Sequence, residues 1–272
     1  MNIQNFLIKK IKKLFLTINN LIESNLNKFR LLKSNFKKGE LIKNNRVFFS
    51  ISAIIILTLT YFFLPTLYDK NIIQSKIKNQ VQKKYNIEIK FDEKIRYGLI
   101  PKPHFVAKDI KIFNDKKEIA VSNDLKIFIS IKKFFSMDNL EVKDLIFTKT
   151  DFNIKFEDIH FFYNLLNTQP NENKIVWKKS NLFFKSVDDE VLFLNKIEKG
   201  KFFYDSYNLV NVLSAENKIF NTPYKIVIKN DKFNKEINTK FSSKKVRLNI
   251  ENSLIYDDKE KKGLLDILFI NK

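Results

Sequence analysis

The feature that most constrains this chain is an uncharged apolar segment from Val47 to Tyr68. It runs for 22 residues without Asp, Glu, Lys or Arg. A helix rises about 1.5 Å per residue, so this length crosses the roughly 30 Å hydrocarbon core of a bilayer. Tyr61 and Tyr68 lie near its end, where amphipathic rings prefer the membrane interface. The segment therefore predicts one transmembrane helix over 47–68.

Two other readings of the segment are weaker. A buried core helix of a soluble protein rarely stays uncharged over this length. A cleaved signal peptide would start nearer the N-terminus and would have a shorter apolar stretch. Pro65 also lacks a small-residue cleavage pattern around it. The segment is therefore interpreted as a membrane anchor.

The flanking charges predict the orientation. Residues 1–46 carry eleven Lys and Arg against two acids, whereas residues 69–272 carry the remaining 39 Lys and Arg against 28 acids. Positive charge is therefore far denser before the segment than after it. The positive-inside rule then predicts a cytoplasmic N-terminal segment and a body of about two hundred residues on the far side of the membrane. Together these features predict a single-pass membrane protein.

Within the N-terminal segment, 1–46, residues 3–32 have the pattern of a basic amphipathic helix. Its apolar residues step by three and four and form one stripe: Leu7, Ile11, Leu14, Ile18 and Leu21. Four lysines lie mostly off that stripe: Lys9, Lys10, Lys12 and Lys13. Such a helix is expected to lie on an anionic membrane surface. The alternative is a helix that pairs with itself or with a partner through the same stripe.

The body, 69–272, begins with one helix and then changes to strand periodicity. Residues 69–84 repeat apolar side chains every four positions, and Asn86 is expected to end the helix. Beyond it, apolar and polar residues alternate with a period of two, which is typical of strands with one apolar face. The clearest alternating positions are Leu125, Ile127, Ile129 and Ile131, then Phe152, Ile154 and Phe156, then Val246, Leu248 and Ile250.

Further short apolar runs suggest more strands, at 87–91, 104–113, 140–148, 174–185, 190–194, 224–229 and 264–270. Turn residues separate many of them: Asn114–Asp115, Asp188–Asp189, Asn230–Asp231 and Asp257–Asp258. Short helices are expected at 157–166 and near 206–217. The fold class is thus mainly β with a few helices: one transmembrane helix and then a curled antiparallel sheet, as an open groove or half-barrel.

The sequence offers little for catalysis. It has no cysteine, which excludes disulfides and thiolate metal sites, and its four glycines are too scattered for a phosphate loop. His104 and His160 share no motif with a carboxylate cluster, and the acidic pairs fall where turns are expected. The basic residues of the body are interleaved with acids, which disfavours nucleic-acid binding. We expect no enzyme activity, no cofactor and no metal.

Three stretches resemble the AsmA family of inner-membrane-anchored envelope proteins. They are IRYGLIPKPHFVAKDIKIFND (Ile95–Asp115), IAVSNDLKIFISIKKFFSMDNLEVKDLIFTKTDFNIKFED (Ile119–Asp158) and KGKFFYDSYNLVNVLSAEN (Lys199–Asn217). The first has the family's small-residue and proline step before a strand, and the third its G-x-apolar-x-Tyr-Asp strand. The resemblance covers about 47–250. The 46-residue tail is longer than usual, and many members are far longer, so the chain is similar to a short member or an N-terminal module.

The resemblance implies that the anchor lies in a cell inner membrane and that the body lies in the periplasm. It also implies a role in envelope or outer-membrane biogenesis, with an apolar β-groove that binds or helps transfer phospholipid. The ten alternating residues named above, from Leu125 to Ile250, are then the candidate groove residues. The alternative for each is an ordinary closed core. The alternative function is a bitopic scaffold that recruits envelope proteins without a lipid ligand.

Overall fold

The structure is a computed structural model that describes residues 46–133, 140–256 and 261–270. The predicted N-terminal surface helix with Lys9, Lys10, Lys12 and Lys13, and the predicted turn at 257–258, lie outside the described residues. The chain divides into two compact units, Met1–Leu59 and Thr60–Lys272. The boundary therefore falls inside the apolar segment rather than at its end.

The apolar segment is helical, as the sequence predicts. Helix α1 spans Arg46–Phe63, and a 3₁₀ turn at Leu64–Leu67 follows it. The stretch Phe49–Leu67, 19 residues, is the one helical stretch among the described residues that is long and apolar enough to cross a membrane. Its apolar side chains are mostly exposed, which distinguishes it from the core helix of a soluble protein.

The last residues of this segment belong to the body. Pro65 is buried, and Tyr61, Phe62 and Tyr68 pack against the body's hydrophobic core. Tyr97 Oη donates a hydrogen bond of 2.8 Å to the Phe62 carbonyl. Burial raises the pKa of Tyr97 to about 12. The phenol is protonated at neutral pH with or without this shift, and it donates the hydrogen bond.

Helix α2 spans Lys70–Tyr85 and confirms the helix predicted at 69–84. The Asp69 carboxylate caps it by accepting from Asn71 N at 2.8 Å and Ile72 N at 3.1 Å. Asn86 ends it in the left-handed conformation at φ 55°, as expected for a C-terminal Asn. The side chains on its four-residue repeat are buried against the sheet: Ile73, Ile77, Val81 and Tyr85.

The rest of the body is one twelve-stranded sheet that does not close, which confirms a mainly β fold with few helices. Its strands are β1 Glu88–Phe91, β2 Arg96–Gly98, β3 His104–Asn114, β4 Lys117–Ile129, β5 Val142–Ile154, β6 Ile175–Lys185, β7 Val191–Asp205, β8 Val210–Ile219, β9 Thr222–Asp231, β10 Glu236–Ser243, β11 Leu248–Tyr256 and β12 Lys261–Phe269. The order is β1-β3-β4-β5-β6-β7-β8-β9-β10-β11-β12, and β2 pairs with β3.

One strand pair departs from the expected antiparallel pattern. β5 and β6 are parallel, whereas the other paired strands run antiparallel. The connection between them contains a 3₁₀ turn, Phe156–Ile159, and helix α3, His160–Leu166, which confirms the helix predicted at 157–166. Parallel neighbours need such a crossover because the chain must return to the same end of the sheet.

The helix predicted near 206–217 is wrong. This stretch is a tight turn followed by strand β8, Val210–Ile219. Apolar residues at 209, 210, 212 and 213 fit a helical spacing as well as a strand. The turn decides the outcome, because the Asp205 carboxylate accepts from the backbone N–H groups of Tyr207 and Asn208 and reverses the chain.

Candidate functional site

One face of the sheet, here called the apolar face, carries an apolar row that crosses ten neighbouring strands. Each member lies directly opposite the next in the strand register. From β3 to β12 the row is Ala107, Leu125, Phe147, Trp177, Gly200, Ala215, Ile226, Phe241, Ile250 and Ile267. No polar side chain interrupts it, so the sequence builds a single apolar path across most of the sheet.

The first half of the apolar face, β3 to β7, is covered. Helices α2 and α3 contribute buried side chains to the same core as the row members of β3 to β6. Leu125 and Phe147 are completely buried, and Trp177 is 4% exposed. Gln80 of α2 fixes this arrangement by accepting from Val142 N at 2.8 Å, and Lys84 Nζ donates to the Val142 carbonyl at 2.7 Å.

The second half of the apolar face, β8 to β12, is open. Ala215, Ile226, Phe241 and Ile250 are only half-buried, and Ile267 is 62% exposed. Flanking positions add further apolar surface: Leu213, Ile228, Ile237, Leu248, Leu254, Leu265 and Phe269. The rings of Tyr224 and Phe241 pack with their centroids 5.0 Å apart. Here the face that forms a core elsewhere in the molecule remains available to another apolar molecule.

The opposite side, here called the polar face, has a different character. On β6 to β9 it carries these lysines: Lys178, Lys196, Lys199, Lys201, Lys218, Lys225 and Lys229. Burial lowers the pKa of Lys201, and the positive charges of Lys174 and Lys199 lower it further. An alkyl chain would desolvate charged groups on this side, so the two faces are chemically distinct.

The junction between the covered and open halves is marked by asparagines on the apolar face. Asn211 of β8 donates to the Leu166 and Thr168 carbonyls, both at 2.9 Å, and so docks the end of α3 on the sheet. Asn230 of β9 also donates to the Leu166 carbonyl, at 3.1 Å. The cover therefore ends where α3 ends, over β8 and β9.

The prediction that the first seven candidate residues line a groove is wrong. Leu125, Ile127, Ile129, Phe152 and Ile154 do lie on the apolar face, but they are sealed in the core beneath α2 and α3, at most 6% exposed. They form a closed core because two helices cover this part of the sheet. Ile131 and Phe156 are exposed, but they lie in 3₁₀ turns at strand ends and not in the sheet.

The last three candidate groove residues lie in or next to β11, outside the closed core. Leu248 and Ile250 are half-buried in β11 on the open part of the apolar face, whereas Val246 lies in the turn before that strand. Sequence reasoning missed Ile226, Phe241 and Ile267 of the same row. The strand runs at 224–229 and 264–270 were predicted, but Val227, Leu264 and Leu268 on the other side obscure the alternation there.

The two histidines lie in separate elements, strand β3 and helix α3. His104 Nδ1 lies 2.7 Å from the Lys102 carbonyl, and its ring fills the space above Gly98, where a Cβ would come within 2.9 Å of Cε1. His160 is exposed at the start of α3. Among the described residues, no group of three or more His, Asp or Glu side chains could hold a metal ion.

No family model, no curated protein and no solved structure matches this chain. The resemblance to the AsmA family therefore stays a prediction from the sequence motifs.

Proposed function

We propose that this chain is a single-pass inner-membrane protein whose body binds phospholipid acyl chains on the open half of the apolar face. The observation that carries the proposal is the apolar row. The same unbroken row forms a hydrophobic core under α2 and α3 and then continues, uncovered, across β8 to β12. A soluble body seldom exposes an apolar surface of this extent without a partner for it.

The dimensions of the open half fit one acyl chain. Five strands at a spacing of about 4.8 Å give a path of roughly 19 Å from Ala215 to Ile267. Each leaflet of a bilayer holds its chains within half of the roughly 30 Å hydrocarbon core, or about 15 Å. Each methylene removed from water contributes about 0.8 kcal/mol, so even partial cover along the row gives useful affinity.

The anchor and the charges suggest where the protein works. We propose that α1 crosses the inner membrane, that residues 1–46 lie on its anionic cytoplasmic surface, and that the body lies in the periplasm. The flanking charge densities support this orientation. In that setting the open half would receive lipid in the periplasm, during envelope or outer-membrane biogenesis.

The alternative function is a bitopic scaffold that binds envelope proteins and no lipid. The closed core beneath α2 and α3 supports it for the first half of the body, since no apolar groove remains there. It differs from the first proposal in what contacts the open half: a protein surface instead of alkyl chains.

Photo-crosslinking distinguishes the two functions. The photoreactive amino acid p-benzoylphenylalanine is placed singly at Ile226, Phe241 or Ile250 in the full chain, and cells labelled with radioactive phosphate are irradiated. The matched controls are their neighbours on the polar face, Val227, Lys240 and Glu251. Lipid binding predicts labelled phospholipid adducts at the first three positions and few at the controls. Protein adducts in place of lipid, or equal lipid labelling of both faces, would contradict the proposal.

A second pair of variants separates binding from folding. Ile250→Asp puts a carboxylate on the open half and is expected to leave the far-UV circular dichroism unchanged while it abolishes the lipid adduct formed at Phe241. Ile154→Asp buries the same carboxylate in the closed core, where Ile154 is 1% exposed, and is expected to unfold the body. If Ile250→Asp also unfolds the body, the open half is part of the core and not a binding surface.

A further inference from the structure

Among the described strands, β12 is the last one in the order of the sheet. Its inner side pairs with β11 along Leu248–Tyr256, and among the described residues no strand pairs with its outer side. Side chains from Lys262 to Ile270 are all exposed. The outer side thus presents a row of backbone N–H and C=O groups that can accept another strand.

β12 also differs from a protected edge in its side chains. Leu265, Ile267 and Phe269 continue the apolar face, but Leu264 and Leu268 are apolar on the polar face, at 64% and 57% exposure. Strands that are apolar on both sides are typical of sheet interiors. Edge strands are usually protected by charges or proline. The charged residues of β12 are Lys261 and Lys262 at its start and Asp266 in its middle, and residues 267–270 carry no charge.

We propose that β12 pairs with β12 of a second copy of this chain, antiparallel, about a two-fold axis perpendicular to the sheet. In this arrangement the strand is self-complementary around Leu264, as a symmetric interface requires. Leu264 faces Leu264 of the second copy, and each Lys262 faces Asp266 of the other copy. Both apolar faces lie on the same side, so the two sheets form one continuous sheet.

The charges select this register over its neighbours. A register centred on Leu265 would place Asp266 against Leu264 and Lys262 against Leu268. A register centred on Asp266 would place two carboxylates face to face. Asp266 already lies beside Glu251 of β11, and Glu251 forms an ion pair with Lys240. A second carboxylate beside Asp266 is therefore disfavoured, whereas an ammonium group is favoured.

The absence of cysteine from the chain makes the register directly testable. Single cysteines are introduced into the full chain. Membranes that contain each variant are then treated with a short bifunctional thiol reagent. Leu264→Cys lies on the axis and is expected to give a high yield of covalent dimer. Asp266→Cys and Leu268→Cys are the matched controls. In the proposed register their two copies are separated along the strands by four and eight residues, about 14 Å and about 27 Å, beyond the reach of a short reagent.

Charge reversal tests the paired residues. In the Leu264→Cys background, Lys262→Asp or Asp266→Lys alone is expected to lower the dimer yield about tenfold at limiting protein concentration. The double reversal restores the opposite-charge pairs and is expected to restore the yield. Equal yields at all three cysteine positions would indicate random collision and would overturn the proposal. So would a maximum at Asp266→Cys, adducts with a different protein, or no dimer at all.

The proposal does not rest on lipid binding. Lipid adducts at Ile226 without a dimer through Leu264 would overturn the pairing alone, and a dimer without lipid adducts would overturn the proposed function alone.

Discussion

At the scale of single residues, Gly200 allows the indole of Trp177 to lie across strand β7. A Cβ at position 200 would come within 3.3 Å of Trp177 Cε3 and 3.4 Å of Ile197 Cγ2. Both side chains are buried, so neither can move away at low cost. Gly200 therefore leaves the space that the Trp177 indole occupies.

Gly200→Val is therefore expected to lower the free energy of unfolding by about 1–3 kcal/mol through overpacking. Trp177 is the only tryptophan, so its fluorescence reports the local change directly. The matched control is Gly263→Val, where the nearest atoms would lie at 3.6 Å, an ordinary contact distance. Equal losses in urea titrations of the two variants would show that Gly200 is not a packing requirement.

Asp231 stabilises the turn between β9 and β10 in the same way as Asp205 stabilises the turn before β8. Its carboxylate accepts from Asn234 N and Phe233 N, each at 2.9 Å, and from Asn234 Nδ2 at 2.8 Å. The hydrogen bonds from Asn234, with that from Phe233, hold the pKa of Asp231 below its ordinary value. The ionised form is therefore the one that the folded state favours.

Acid is expected to weaken this turn. Because the folded pKa is depressed, the stabilisation is fully present above the unfolded value of about 3.9 and is lost as the pH falls through the lower folded value. Asp231→Asn removes the titrating group but keeps an acceptor oxygen. Its unfolding free energy, measured by urea titration at a series of pH values, should fall less steeply below pH 4 than that of the parent protein. Superimposable pH profiles would contradict this account.

At the scale of elements, helix α3 is held to the sheet by asparagine side chains. Asn211 is 3% exposed and donates to two carbonyl groups at the end of the helix. Such carbonyls lack partners inside the helix and need an external donor. The helix has only seven residues, so its stability depends on this docking.

Asn211→Ala is expected to cost about 2 kcal/mol, because the Thr168 carbonyl loses its side-chain donor in a buried place. Hydrogen exchange of the amides from 160 to 168 should accelerate, since the end of α3 is no longer fixed. Asn249→Ala, on the polar face of β11, is the matched control and should leave both quantities unchanged. Unaltered exchange in Asn211→Ala would show that apolar packing alone holds the helix.

The elements that could be predicted from sequence are those with a strong local signal. The four-residue repeat of Ile73, Ile77 and Val81 and the left-handed Asn86 define α2 without any tertiary information. The segment Val210–Ile219 was misread because its apolar spacing fits both periods, and the Asp205 turn that resolves the ambiguity is itself a local signal. The parallel pairing of β5 and β6 depends on where the crossover returns, which the local pattern does not encode.

At the scale of the whole molecule, one sheet serves two different purposes along its length. β3 to β7 form a conventional core with the helices, and α3 ends over β8 and β9. Among the described residues, the apolar side of β10 to β12 has no cover. Sequence alternation could predict that an apolar face exists. It could not predict which part is covered, because Leu125 and Ile250 have similar local patterns and differ only in the helices above them.

Local stability should differ between the two parts. Amides of β3 to β6 are expected to exchange with solvent only on global unfolding, whereas those of β10 to β12 should exchange through local opening. If lipid occupies the open half, detergent-solubilised protein supplied with phospholipid should show slower exchange at Ile226 and Ile250 and little change at Phe147. Uniform protection across the sheet would argue against the division, and an unchanged pattern with lipid would argue against binding.

The order of the strands has a consequence for how the chain reaches this structure. From β6 to β12 each strand pairs with the one made just before it. Contacts between near neighbours in sequence form quickly and require little loop closure. The second part of the body can therefore grow hairpin by hairpin as synthesis proceeds, each new strand using the last one as its template. Such a molecule could gain or lose hairpins at its growing end, over evolutionary time, without any repacking around the two helices.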